Sequence, residues 1–300
     1  MINRSAENET DRRVFLKAAS AAGLGTIGAG AATVLGASSA SAAGRGPSDA
    51  AIFNFALNLE YLEAQFYHYA AYGTALPFKL TTGKGDRGGV VGGHKVPFKT
   101  PAIASMAREI AQDEKDHVRF IRKTLGGAAV AQPKIDLKNS FTAAATAAGL
   151  IKPGQSFDPF ADEDSFLLGA FIFEDVGVTA YKGAAPLIDN KAFLGAAAGI
   201  LAVEAYHAGI IRTRLYDRNL FDAVKAISNA RDSLDGKTDV DQGIGRPAPR
   251  KANLVPTNRN ALAFSRTPGQ VLNVVYLNPK SVKQGGFYPK GVNGAINKSS

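Results

Sequence analysis

The sequence has no cysteine. That excludes disulfides, thiolate nucleophiles and thiolate metal ligands, so any transition-metal site must be built from carboxylates and imidazoles. Such donors suit iron or manganese, and zinc also accepts them. Histidine is scarce, with four in 300 residues. Basic residues outnumber acidic ones to give a net charge of +9, yet no run of five or more exists and no nucleic-acid motif appears. The charge reads as a solvated basic surface, and nucleic-acid binding is rejected. No segment shows convincing strand alternation, which leaves an all-α chain long enough for a substantial core.

The first 42 residues read as an export address. Arg12-Arg13-Val14-Phe15-Leu16-Lys17 resembles the twin-arginine consensus, with Asp11 where Ser or Thr is usual. An Ala/Gly-rich run from Ala18 to about Gly36 follows, then a small-residue cleavage site at Ala40-Ser41-Ala42. An uncleaved anchor is the alternative, but so much Gly and Ala makes a poor span. The expectation is passage through the twin-arginine export machinery, a periplasmic or secreted product and no stable transmembrane span after processing. Gly23, Gly25 and Gly28 spell a dinucleotide fingerprint without a βαβ unit around it, so no nucleotide cofactor is expected.

Beyond the address, apolar residues follow the helical period in four long segments. Ser48 or Asp49 opens the first, running to about Ala71. A Gly-rich loop to about Lys99 reads as a surface excursion or a mobile cover. Thr100 as N-cap and Pro101 open the second helix, and Gly126-Gly127 stop it. A short helix over Ser140 to Leu150 precedes the third, capped by Asp162 and ending near Pro186. Asn190 opens the fourth, which reaches about Arg218. A fifth, amphipathic helix spans Leu220 to Leu234. Asp235 to Arg266 reads as irregular chain over the bundle, Thr267 to Gln270 as a capping box leading a short helix to Leu277, and residues after Asn278 as a tail. The domains expected are thus 1–42, 48–235 and an extension over 236–300.

Charge inside the apolar faces carries the function. Glu114 and His117 stand three apart, one helical turn on one face, and Glu204 and His207 repeat the pattern about 90 residues later. With four His and nine Glu, chance predicts roughly 0.1 such pairs. Glu60 in the first helix and Glu174 in the third also interrupt apolar stripes, where an unpartnered carboxylate costs several kcal/mol. Glu60 precedes Tyr67 by seven residues, as Glu174 precedes Tyr181, so helices one and two look like a copy of three and four. One Glu from each of two helices and Glu-x-x-His from each of the others is the pattern of dinuclear carboxylate bundles. Ala170 and Gly177, one turn either side of Glu174, leave room for a diatomic oxidant.

On these residues the chain resembles the ferritin-like superfamily, and more closely the exported ferritin-like proteins of the desiccation-related type. The likeness lies in Leu59-Glu60-Tyr61-Leu62-Glu63-Ala64-Gln65-Phe66-Tyr67, in Asp113-Glu114-Lys115-Asp116-His117, and in Phe264-Ser265-Arg266-Thr267-Pro268 through Tyr276. The resemblance implies a ferritin-like four-helix bundle with a fifth helix and an irregular C-terminal extension. It implies two iron ions, or alternatively manganese, with Glu114 and Glu204 bridging, Glu60 and Glu174 terminal, and His117 and His207 one on each metal. Glu63 is the rival to Glu60, and Tyr67, Tyr181 and Asp113 are hydrogen-bond partners to ligands. The tyrosines are equally readable as ordinary core residues, and His68 and His94 as surface or loop residues. Implied activities are Fe(II) oxidation or reduction of O2 or peroxide at a di-iron site. The alternatives are a non-enzymatic stress protein with structural or no metal, and a dinuclear manganese catalase. A homo-oligomer is compatible, but the long loop and extension obstruct a storage shell.

Overall fold

The computed structural model describes residues 46–249 and 251–300; the export motif and the glycine fingerprint lie outside the described residues. Four long helices make the bundle: α1 (Asp49–Tyr72), α2 (Pro101–Leu125), α4 (Glu163–Ala184) and α5 (Lys191–Asp217). The short α3 (Asn139–Ala147) lies between α2 and α4, and α6 (Phe221–Asp235) and α7 (Pro268–Val275) follow the bundle. α1 packs along α2 and α4 along α5, and the two pairs meet through α1 and α4.

Local chemistry sets the boundaries. Ser48, Asp162 and Asn190 accept from the first backbone N–H groups of α1, α4 and α5, and Gly73, at φ 74°, closes α1. The capping box at Thr267 and Gln270 is present. Thr100 departs from expectation: its hydroxyl caps nothing on α2 and donates instead to Glu163. Glu163, in the first turn of α4, also accepts from the backbone N–H groups of Lys99 and Thr100. The duplicate half repeats the device, because Asp49 at the start of α1 accepts from Asp189 and Asn190 at the start of α5. A helix-start acid in each half thus fixes a helix of the other.

Several expectations need correction. Strands exist, although only two residues long: β1 (Val90–Val91) pairs in parallel with β2 (Ile135–Asp136), and β3 (Gly245–Arg246) pairs antiparallel with β4 (Lys251–Ala252). Alternation cannot announce so short a ladder. β1 fastens the Gly-rich loop to the chain after α2, and a Cβ on Gly88 would sit 2.2 Å from the Lys134 nitrogen, so glycine there permits the close approach. The loop is a pinned surface excursion.

Residues after Asn278 are no loose tail. Phe287 and Tyr288 are fully buried, Phe287 packing on Phe141 and Phe173 with ring centroids 5.0 and 4.9 Å away. The Tyr288 hydroxyl donates to the Asn58 carbonyl at 2.6 Å, and Asn58 and Asn293 exchange two more hydrogen bonds. This strap therefore crosses α1 two residues before Glu60. Nor is all the basic charge at the surface. Arg212, Arg231 and Arg266 are 0%, 3% and 1% exposed, and they interlock with Asp175, Asp235 and Asp241 to bind the extension to α4, α5 and α6.

Candidate metal centre

The helical period delivers six side chains to the middle of the bundle. Glu60 comes from α1, Glu114 and His117 from α2, Glu174 from α4, and Glu204 and His207 from α5; all six are buried. They form two groups whose ligating atoms lie within 4.8 Å of one another, Glu60, Glu114, His117 and Glu204 in one and Glu114, Glu174 and His207 in the other. Glu114 belongs to both. Its Oε2 lies 3.6 Å from His117 Nδ1 and its Oε1 lies 3.1 Å from His207 Nδ1. Glu60 Oε2 is 3.2 Å from His117 Nδ1, and Glu174 Oε2 is 3.6 Å from His207 Nδ1. Glu204 Oε1 stands 3.7 Å from His117 Nδ1 while its Oε2 turns toward Gly177, so Glu204 joins the first group only.

Two tyrosines and an aspartate stand behind these side chains. Tyr67 donates to Glu174 Oε1, and Tyr181 donates to Glu60 Oε1. Each tyrosine thus serves the glutamate of the opposite helix, which the equal seven-residue offsets allow once α1 and α4 run antiparallel. Asp113 Oδ2 lies 3.3 Å from His207 Nε2, behind the nitrogen that faces the cluster. Glu63 is buried but lies outside both groups, with its carboxylate beside that of Glu204 and near Gly177. His68 and His94 are remote, His94 meeting Asp158 at the surface.

Eight polar atoms of the six residues are buried without a hydrogen-bond partner: Glu60 Oε2, both oxygens of Glu114 and of Glu204, Glu174 Oε2, and Nδ1 of each histidine. All but Glu204 Oε2 approach one another at 3.1–3.7 Å in poor hydrogen-bond geometry. Buried polar groups are rarely left so, and atoms aimed at a shared centre fit cations placed between them. Charge fits too, since four carboxylates balance two divalent ions.

Titration follows from the same crowding. Burial, opposed by His117, pushes Glu60 up to about 7. Burial and the neighbouring carboxylates raise Glu63 and Glu204 well above the ordinary range, and burial also raises Glu174. Glu114 is the exception. Burial raises it as well, but His117 and His207 on either side outweigh that and hold it low. Burial lowers both imidazoles, and the carboxylates around them more than reverse this, to well above 6.5. Burial and adjoining carboxylates keep Tyr67 and Tyr181 protonated, hence donors. Without metal, the centre is therefore held together by protons.

The room foreseen at Gly177 is occupied. A Cβ there would meet Glu204 Oε2 at 2.3 Å and Glu63 Oε1 at 3.3 Å, so this glycine makes space for a carboxylate. Gly177→Ala has a definite expected outcome. The obstacle is the tip of a flexible side chain, and Ala favours helix by up to about 1 kcal/mol over Gly, so the metal-free protein should melt close to the native one. Metal affinity should nevertheless fall, by about 10- to 100-fold as for other perturbations of ligand orientation. Calorimetric metal titration beside a melting curve checks both.

Comparison with known proteins agrees with this geometry. The ferritin-like domain family matches residues 48–217, and the chain belongs to that family. It is a ferritin-like protein of the desiccation-related type. It is 32% identical over 269 residues to desiccation-related protein PCC13-62 of Craterostigma plantagineum, spanning 82% of this chain and 83% of that protein. It is 29% identical over 272 residues to ferritin-like catalase Nec2 of Nesocodon mauritianus, spanning 83% and 85%. No solved structure matches the chain.

Proposed function

We propose that this is an exported metalloprotein that holds two redox-active divalent ions, iron or manganese, and disproportionates hydrogen peroxide. The observation that carries the reading is the convergence of seven unpartnered buried donor atoms from four helices on two overlapping positions. Glu60, Glu114, His117 and Glu204 would hold one ion, and Glu114, Glu174 and His207 the other. When bound, such a pair supplies two electrons to one peroxide and recovers them from a second, giving two waters and one dioxygen.

The protein's own part is to position, to exclude and to carry protons. Tyr67 and Tyr181 fix Glu174 and Glu60 through Oε1, leaving Oε2 of each free for a metal, and Asp113 fixes the His207 ring. Reducing one peroxide takes up two protons and oxidising the other releases two. Glu63 stands outside both donor groups, and burial with the carboxylates around it raises its carboxyl well above the ordinary range, which makes it the buried acid placed to exchange a proton there. The cavity beside Glu63 and Gly177 is about 10 Å³ and mostly apolar, with room for no more than a single water. The name of the Nesocodon relative supports a catalase reading, and Arg12-Arg13 supports export to the periplasm or beyond.

The name of the Craterostigma relative favours a second reading, a stress-protective bundle in which the metal only braces the helices. Metal analysis of the purified protein, followed by an oxygen electrode after addition of peroxide, separates the two. The proposal expects two ions per chain and one dioxygen for every two peroxides. Bound metal with no dioxygen from either the iron or the manganese form, together with a chelator-sensitive melt, would support the bracing role. Failure to bind either metal would remove both readings.

A further inference from the structure

After Asp241 the sequence carries nine basic residues and no acidic one, so the whole net charge of +9 arises in the extension and the rest of the chain is neutral in sum. A sign asymmetry of that kind points to an anionic partner. Part of the extension is the strap over α1, where Lys280, Lys283, Lys290 and Lys298 are exposed. Asn293 of the strap exchanges two hydrogen bonds with the backbone of Asp86 in the Gly-rich loop, and the Asp136 N–H donates to the Phe287 carbonyl. Together with the β1–β2 pairing, these bonds join loop (78–92), chain after α2 (129–138) and strap (280–298) into one layer. A single stripe of α1 carries it, because Asn54, Asn58, Tyr61 and Gln65 share a helical face and all bond to the layer. The layer holds nine lysines and arginines against two acids. Asp136 is 8% exposed and accepts from the backbone N–H groups of Lys138 and Asn139, which leaves Asp86 as its one exposed carboxylate. The ion pairs among the described residues involve none of the nine cations.

In the same layer Phe78 stands 65% exposed. Its turn is fixed from beneath, since Leu80 is buried and Arg122 of α2 donates to the Thr82 carbonyl. The Arg87 guanidinium lies 4.3 Å from the ring centroid and donates to Thr81 Oγ1 at 2.8 Å. A rigid turn thus presents an aromatic ring to solvent amid cations. We propose that this layer docks the protein on an anionic phospholipid surface, with Phe78 entering the boundary between headgroups and acyl chains. The unpaired cations supply attraction to lipid phosphates, and the ring supplies apolar area that reaches below them. A soluble polyanion such as an acidic polysaccharide would be held by the lysines alone. The projecting ring favours the lipid.

Cosedimentation of the purified protein with lipid vesicles tests this without reference to metal or activity. Vesicles of phosphatidylcholine mixed with phosphatidylglycerol should carry the protein down, vesicles of phosphatidylcholine alone should not, and added salt should release it. Each Lys or Arg beside an anionic surface is worth about five-fold in binding, so Lys79→Glu combined with Lys84→Glu should weaken partitioning by at least about 100-fold. Phe78→Ser should weaken it by about 10-fold with the salt dependence unchanged. Lys225→Glu combined with Lys237→Glu makes the same change of net charge outside the layer and should leave binding as it is. All these positions are exposed, so every variant should melt like the native protein. A protein that stays in solution beside anionic vesicles, or one released equally by both double reversals, overturns the proposal. Retention on heparin without vesicle binding overturns it too, and would give the layer to a soluble polyanion.

Discussion

Replacing Glu114 by alanine is expected to empty both halves of the centre at once. Glu114 is shared by the two donor groups, one oxygen toward His117 and the other toward His207. A partner that merely orients a ligand is worth about 10- to 100-fold in metal affinity. Loss of a donor common to both ions should exceed that, and peroxide turnover should fall to background. Folding should suffer as well. Glu114 is the carboxylate that stays ionised between the two imidazoles, and removing one member of a buried ionic set costs about 3–5 kcal/mol. Glu63→Ala is the matched control, since Glu63 is equally buried and acidic but in neither group. It should retain close to the native metal content while turnover drops. Mass-spectrometric metal analysis after dialysis decides the matter, and an E114A protein that keeps both ions would sink the assignment of Glu114 as the shared ligand.

The centre was legible in the sequence for two physical reasons. The helical period converts a spacing of three into a shared face, and a carboxylate within a run such as Leu167 to Phe173 is costly enough to stand out. The α1 and α4 copies were visible through Tyr67 and Tyr181, although which glutamate each tyrosine reaches depends on helix direction, which spacing alone does not express. The arginine network was illegible. Arg231 and Arg266 sit among polar neighbours that read as surface, and their partners Asp175 and Asp241 lie up to 56 residues away. The strap through Phe287 and Asn293 was missed for the same reason: it is held by contacts across 235 residues and repeats with no period. The role of Gly177 was inverted, because an absent side chain says that room is needed and not what fills it.

The metal-free protein should lose stability as pH rises, the reverse of ordinary carboxylate behaviour. A group whose folded pKa lies above its unfolded value contributes stability that is complete below the unfolded pKa and disappears as pH passes the folded one. Glu60, raised from 4.5 to about 7, is such a group, and its shift corresponds to something on the order of 3 kcal/mol. Glu63, Glu174 and Glu204 are raised too, and so are His117 and His207, so all six act in one direction. Glu114 alone is depressed, and its contribution changes only below its unfolded value, outside this window. Between pH 5 and pH 8 the melting temperature of chelated protein should therefore fall by roughly 10 °C, given about 2–4 °C per kcal/mol for a chain of this size class. Saturation with metal should flatten the dependence, because ions take the place of the protons that neutralise the cluster. The same exchange requires metal uptake to acidify a weakly buffered solution. Melting curves at four pH values with and without chelator measure the effect. A metal-free protein that melts higher at pH 8 than at pH 5 would mean that the buried carboxylates are not competing for protons, and a centre whose carboxylates are indifferent to protons has no reason to gather cations either.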